Sequence, residues 1–244
     1  MIISHKYKLV ILLPWKTASQ TLRLRLRHID ESPYPQLQYF NLHLNRVIHQ
    51  HITLLDFMAL PEASMGYKLA VFIRNPYDRV FSGFQQIIRD FTNQPRMNIA
   101  HPWVQELINQ QLSDNFQEVC KSGYNINYWF LRLPLYKIFE AGRDTSLYLH
   151  PNYYWTHKQG KIIVDFVGRV ENFEEDFKAF CNKYGFNSSS DKSANQSNEC
   201  TPEKNEYGYR YINKYDPETI LRINEIFKAD FDFFNYKVIN PQLP

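Results

Sequence analysis

Lys8-Leu9-Val10-Ile11-Leu12-Leu13, followed by Pro14-Trp15-Lys16-Thr17-Ala18-Ser19-Gln20-Thr21, is the stretch on which the reading of this chain turns. A short unbroken apolar run is the pattern of a strand covered on both faces, as in a parallel sheet. Here the run empties into a turn carrying one lysine and three hydroxyls, and Leu22 to Ile29 behind it supplies a helix. The first N–H groups of a helix have no intrahelical partner, and its dipole favours negative charge at that end, so the segment suits an anion. The Gly-x-x-x-x-Gly-Lys-Ser/Thr spacing of the common nucleotide loop is missing, which weighs against a kinase or NTPase. Taken alone, the stretch reads equally as an anion site or as an ordinary strand-to-helix turn.

A second segment, Val71-Phe72-Ile73-Arg74-Asn75-Pro76-Tyr77-Asp78-Arg79-Val80-Phe81-Ser82, shifts that balance. Lys68 to Ile73 reads as another buried strand, and Pro76 fits the first turn of a helix, where its missing N–H costs nothing. Arg74 offers a planar fork for phosphate oxygens, and Ser82 can add a hydroxyl from the helix. The plain alternative pairs Arg74 with Asp78 and leaves Ser82 as packing. Together with the Lys16 loop the two make paired anion grips at neighbouring strand ends, a layout suited to a nucleotide phosphorylated at both ends.

The rest of the chain fits an open α/β sheet. Ile162 to Val167 reads as a third parallel strand ending in Gly168-Arg169, and the amphipathic segment Phe173 to Tyr184 as a helix stopped by Gly185. Gln36 to Leu44 reads as a strand, Thr53 to Met58 as a strand or a short turn of helix, and Trp103 to Val119 as a helix. Asp216-Pro217 opens a last helix whose stripe is Ile220, Ile223, Ile226 and Phe227. Residues 187–205 are polar and rich in Ser and Asn, which predicts a surface loop able to be flexible or to close over a substrate. The expectation is a single domain over 1–244: an open parallel sheet flanked by helices, P-loop-like in its strand–loop–helix.

Composition bounds the function. With 244 residues there is enough chain for one complete core and too little for two full catalytic domains. A hydrophobic fraction of 44% argues against disorder, and a formal charge of +3 is too mild for a nucleic-acid binder while sufficient for a local anion cleft. Cys120, Cys181 and Cys200 are odd in number and lack Cys-x-x-Cys or Cys/His spacing, so neither a disulfide scaffold nor a zinc site is signalled, although one disulfide stays open. No apolar run is long enough to span a bilayer and no signal sequence is visible. The expectation is a cytoplasmic protein if the chain is complete, and a lumenal one if an anchor has been trimmed from it. In the second case Asn187-Ser188-Ser189 and Asn195-Gln196-Ser197 become glycosylation acceptors.

At this point a family resemblance emerges. Lys16-Thr17-Ala18-Ser19-Gln20-Thr21 resembles the loop with which sulfotransferases hold the 5′-phosphosulfate of 3′-phosphoadenosine 5′-phosphosulfate (PAPS), and Arg74-Asn75-Pro76 with Ser82 resembles their 3′-phosphate grip. Val167-Gly168-Arg169-Val170-Glu171-Asn172-Phe173-Glu174-Glu175-Asp176-Phe177 resembles the third recurring segment of the Golgi-type carbohydrate sulfotransferases, sulfotransferase family 2. Tyr209-Arg210-Tyr211 and the helix from Ile220 to Phe234 are similar to that family's ending. Trp15 and Gln20 depart from it, standing where proline and a small hydroxyl residue are usual, and for Trp15 a packing role against the following helix is favoured over base stacking. The resemblance implies a PAPS-dependent sulfotransferase of the EC 2.8.2 type with 3′-phosphoadenosine 5′-phosphate (PAP) as product and no metal. It implies donor contacts at Lys16, Thr17, Ala18, Ser19, Gln20, Thr21, Arg74, Ser82 and Arg169, with Lys16 also stabilising the leaving phosphate.

His49-Gln50-His51 supplies a reactive group. Two residues apart in an extended chain, the two rings point to one side. No third ligand at diagnostic spacing accompanies them, so a metal reading is weak. The segment resembles the His-x-His stretch of the uronyl and heparan 2-O-sulfotransferases, which implies His51 as the base and His49 as its helper. The acceptor is less legible. Tyr124, Tyr128, Trp129, Arg132, Tyr153, Tyr154, Trp155 and His157 form an aromatic and basic belt suited to a sugar cleft or equally to a core. Arg132, Tyr128, Trp155 and His157 are its expected contacts, and an acidic glycan is the first choice of acceptor. A small-molecule or lipid hydroxyl is the next, followed by a P-loop kinase-like phosphotransferase and a non-catalytic nucleotide- or glycan-binding protein.

Overall fold

The computed structural model describes residues 1–34, 38–93, 102–139, 149–187 and 202–242. The chain packs as two compact units, one of Met1–Arg74 with Asn152–Thr201, the other of Asn75–Pro151 with Pro202–Pro244.

The first unit holds the sheet. Strands β1 (Ile2–Ser4), β2 (Leu9–Leu12), β3 (Gln38–Asn41), β4 (Arg46–His49), β5 (Lys68–Ile73), β6 (His157–Lys158), β7 (Lys161–Ile162) and β8 (Phe166–Arg169) all belong to it. The central sheet has the order β1-β2-β5-β8. β2, β5 and β8 run parallel, while β1 adds an antiparallel edge that the sequence reading missed. All four residues of β2 are buried, as expected of a run apolar on both faces. Against one face pack Leu22 and Leu26 of the helix Ser19–Leu26 and Phe177, Phe180 and Cys181 of the helix Phe173–Tyr184.

The third parallel strand begins later than the apolar pattern predicts. Lys161-Ile162 pairs with His157-Lys158 in a small hairpin, and the sheet strand is Phe166–Arg169. The shift has a polar cause: the Asp165 carboxylate accepts from the Leu69 N–H and the Lys68 Nζ at 2.9 Å each, so the entry to β8 is pinned by hydrogen bonds rather than by burial. Within β8 only glycine fits at 168, since a Cβ there would lie 2.4 Å from the Phe72 ring. Gly185, at φ +72°, ends the following helix in the left-handed conformation expected of it.

The expected strand near Gln36 is β3, which pairs with β4 as an antiparallel hairpin. Thr53 caps the helix Leu54–Met58 by accepting from the Asp56 N–H. Arg23 and Arg25 are both buried, and Arg25 makes a bidentate pair with Glu174 at 2.6 and 2.7 Å over the rings of Phe173 and Phe177. That fork is the geometry of a strong charge-assisted pair.

The second unit is helical. Asn75 caps the helix Pro76–Asn93 by accepting from the Asp78 N–H at 2.8 Å, with Pro76 in the first turn as the sequence reading expects. This helix packs on Pro102–Lys121 through the stacked rings of Phe91 and Phe116, 3.8 Å apart. Helices Ile126–Arg132, Pro217–Ile226 and Lys228–Phe234 complete the unit. Arg79 and Asp230, both with fully buried side chains, face each other at 3.6 Å. Arg79 also donates to the His150 carbonyl at 2.6 Å, which helps compensate the burial of its charge. Of the loop expected at 187–205, only Asn187 and residues 202–205 are described. Cys120 and Cys181 are free thiols, and Cys200 lies outside the described residues.

Candidate active site

Because β2, β5 and β8 are consecutive and parallel, their carboxyl ends open on one edge, where open α/β sheets bind ligands. Lys16 follows β2, Arg74 follows β5 directly, and Arg169 is the last residue of β8, in register with Ile73. Three cationic residues from distant parts of the chain thus share one strand-end edge within the first unit.

The Lys16 loop has an unusual backbone. Lys16 and Ala18 both adopt φ +60°, the left-handed region, although neither is glycine. For an L-residue this conformation costs roughly 1–2 kcal/mol. Left-handed residues alternating with ordinary ones turn successive N–H groups toward a common concavity, a backbone nest for anions. The helix begins at Ser19, three residues earlier than predicted, which brings Ser19 and Thr21 into its first turn. Its N-cap is Ala18, which has no side-chain acceptor, and no acidic residue occupies the first turn. The positive end of this helix is thus met neither by a capping side chain at Ala18 nor by a carboxylate in its own first turn.

The hydroxyls divide by role. Thr17 is fully buried and its Oγ1 donates to the Pro14 carbonyl at 2.8 Å, so its side chain ties the turn together. Ser19 and Thr21 are also buried, while Gln20 is exposed.

His51 is next to this loop. Its side chain is buried, its Nδ1 meets the Leu13 carbonyl at 2.5 Å, and its ring lies against Trp15 with centroids 4.4 Å apart. Trp15 therefore packs on the histidine, a contact not foreseen in the expectation that it packs on the following helix. A carbonyl oxygen can only accept, so Nδ1 carries the proton and, in the neutral ring, Nε2 bears the lone pair. The residue that links β2 to the Lys16 loop thus also orients the imidazole. His49 ends β4, and nothing of its side chain lies within the described residues.

Arg74 is half-buried, and its carbonyl accepts from the Asn152 amide at 2.8 Å. Asp78 is buried in the second unit, where its carboxylate accepts from the N–H groups of Arg210 at 2.9 Å and Tyr211 at 3.1 Å. Ser82 is half-buried on the helix Pro76–Asn93 of the second unit. The Arg169 N–H donates to Asp176 at 2.6 Å, which fixes the end of β8 to the following helix.

The aromatic belt separates into two kinds of residue. Tyr128 and Arg132 are exposed one turn apart on Ile126–Arg132, with the guanidinium 4.0 Å from the ring centroid. Trp155 is different: it is fully buried and its indole N–H donates to the Ile52 carbonyl at 3.0 Å, so it has no face to offer a sugar. His157 is buried too, stacked on Tyr153 at 4.6 Å and hydrogen-bonded to Thr156, and burial pushes its imidazole below the ordinary pKa. It belongs to the packing of the unit rather than to an exposed basic face. Asn152 was missed altogether, because its partner Arg74 lies 78 residues away and no local pattern marks the contact.

Among the described residues no helix is long and apolar enough to cross a membrane, and no group of three His, Cys, Asp or Glu side chains could hold a metal. Compared with known protein families, the chain matches the one described as "Sulfotransferase family" over residues 1–237, and it therefore belongs to that family. It is a sulfotransferase, an enzyme of sulfuryl transfer. Comparison with curated proteins and with solved structures gives no match.

Proposed function

We propose that this member of the sulfotransferase family uses PAPS as donor and a carbohydrate hydroxyl, on an acidic glycan, as acceptor. The observation that carries the proposal is the Lys16–Ala18 backbone, left-handed at both ends and heading a helix without a side-chain cap, next to His51. Family membership implies PAPS generally, and a concave loop of N–H groups beside a lysine fits a phosphosulfate. PAPS when bound supplies the sulfuryl group, whose bond to the phosphate oxygen breaks as the bond to the acceptor oxygen forms.

In this reading the chain does three things. Lys16, Ser19, Thr21 and the loop N–H groups hold the 5′-phosphate and meet the charge that builds on it, which is electrostatic preorganisation. Arg74 binds the 3′-phosphate through its planar fork, with Arg169 on the neighbouring strand end adding positive charge. His51 takes the acceptor's proton on Nε2 in concert with attack, because a sugar hydroxyl is too weak an acid to give it up first. The burial of His51 sets a condition on that role. Acceptor binding must open a path to Nε2, and Trp15, half-buried and resting on the ring, is the side chain whose movement would do so.

Ser82 and His49 enter the proposal through the sequence resemblance alone, as does the likeness to uronyl and heparan 2-O-sulfotransferases. Residues 1–244 act as one functional domain in this reading. The exposed Tyr128–Arg132 pair supports an acceptor with both a sugar face and a negative charge, since aromatic rings stack on pyranose C–H surfaces and guanidinium forks match carboxylate and sulfate. Transfer from PAPS to an acidic, uronate-containing oligosaccharide, compared with its desulfated, carboxyl-reduced analogue, tests this. Faster turnover of the acidic acceptor, undiminished by a magnesium chelator, is expected. A better rate with the neutral analogue would remove the acidic-glycan assignment. Absence of reaction with any oligosaccharide, with PAP still bound, would redirect the search to small-molecule hydroxyls.

A further inference from the structure

The segment Asn152–Trp155 touches the proposed site at two places from behind. Asn152, fully buried, donates its amide to the carbonyl of Arg74 at 2.8 Å. Trp155, also fully buried, donates its indole N–H to the carbonyl of Ile52 at 3.0 Å. One single-turn helix, Asn152–Trp155, therefore grips the residue proposed to bind the donor's 3′-phosphate and the backbone immediately after the proposed base. The turn is itself closed by the Thr156 N–H donating to the Tyr153 carbonyl and by the Thr156 hydroxyl donating to the Asn152 carbonyl at 3.2 Å. The two anchors thus sit three residues apart on a fixed scaffold.

From this geometry we infer that Asn152 and Trp155 are positioning residues, setting Arg74 and His51 respectively and holding the donor grip and the base in one frame. The inference rests on the reading of Arg74 and His51 given above. Neither side chain touches a reacting atom. Asn152 fixes the carbonyl of Arg74, and Trp155 fixes the Ile52–Thr53 peptide, one residue beyond His51, whose ring also contacts the Leu13 carbonyl and Trp15. A base must meet its proton within a few tenths of an ångström, and small misplacements far from the chemistry are expensive in rate.

The test asks whether the two anchors separate. Asn152→Ala and Trp155→Phe each remove one donor, and the two readouts on these variants need no acceptor, which only the turnover control on His51→Gln requires. Calorimetric titration with PAP reads the Arg74 side. The ¹⁵N resonances of histidine-labelled protein, with the His51 signal assigned by its loss in His51→Gln, read the tautomer on the other. Asn152→Ala is expected to raise the PAP dissociation constant about 2- to 10-fold, the equivalent of one net hydrogen bond, with the His51 tautomer unchanged. Trp155→Phe is expected to do the reverse, holding PAP affinity within about twofold while the Nδ1-protonated tautomer gives way to a mixture.

A merely structural role would lower thermal stability in both variants and move both readouts together or neither, and that result overturns the inference. If wild-type protein fails to bind PAP, or His51→Gln turns over normally, the inference falls with the reading beneath it. If those two controls behave as expected and the variants do not separate, it falls alone.

Discussion

The loop Lys16–Thr21 and the segment Asn152–His157 belong to the same unit, both carry polar groups among apolar ones, and ligand contacts were expected in both, at Trp155 and His157 in the second. The structure treats them differently. The loop contains left-handed backbone at Lys16 and Ala18 and opens an uncapped helix, so local geometry is bent toward a site. The segment turns inward, with Trp155 and His157 buried and Asn152 bonded to the Arg74 carbonyl. The lesson is that backbone donors at a strand end are set by a few neighbouring residues, whereas whether an aromatic ring faces a sugar or a core depends on partners far away in the chain.

The largest effect should come from the inward segment. Trp155→Ala is expected to destabilise the fold by about 3–5 kcal/mol, the range for deleting a buried aromatic, while Tyr128→Ala on the exposed face stays within about 0.5 kcal/mol. Urea midpoints at constant slope measure both, and similar small losses would erase the distinction between the two kinds of aromatic. Next comes the base. His51→Ala should cost at least about 10²-fold in turnover with PAP affinity nearly unchanged. Acceptor-dependent turnover beside calorimetry checks it, and near-wild-type turnover would remove His51 from the chemistry.

A smaller effect sharpens the description of the loop. Ala18→Gly relieves the left-handed strain but loosens the unfolded chain, so the net gain should be about 0.5–1 kcal/mol in stability. A loss of stability would mean that Ala18 does not hold the conformation described. The smallest effect concerns the exposed Arg132. Arg132→Lys keeps the charge and loses the fork, and should raise KM for the acidic acceptor about two- to fivefold with little change for the neutral one. An equal change for both acceptors would take Arg132 out of acceptor choice.

What was legible in the chain follows the same division. β2, β5, the helices after them and the helix Phe173–Tyr184 could be read because apolar runs, Pro76 and Gly185 act at short range. β1 was missed because a three-residue strand carries no pattern of its own, and β8 was displaced because Asp165 intervenes through hydrogen bonds that only the folded chain reveals. In the site, Lys16, Arg74 and Arg169 were legible as residues at strand ends. The tautomer of His51 was not, since it depends on the Leu13 carbonyl, 38 residues away in sequence. The division of the hydroxyls was hidden too: nothing in the order Thr17, Ser19, Thr21 says that Thr17 spends its proton on Pro14.

The strand-end edge of β2, β5 and β8 is proposed above to hold a nucleotide phosphorylated at both its 5′ and 3′ positions. Thermal unfolding followed during titration with PAP and, separately, with AMP tests it most directly, because only the native state can hold the ligand. Saturation at roughly 100 times the dissociation constant should stabilise the fold by about 2.7 kcal/mol. A clear rise in Tm with PAP and a much smaller one with AMP are expected. Replacing Arg74 with Ala should weaken PAP by about 1.5–3 kcal/mol, the range for charge-assisted hydrogen bonds, with AMP little affected. No shift at saturating PAP, or an equal shift with AMP, would contradict it.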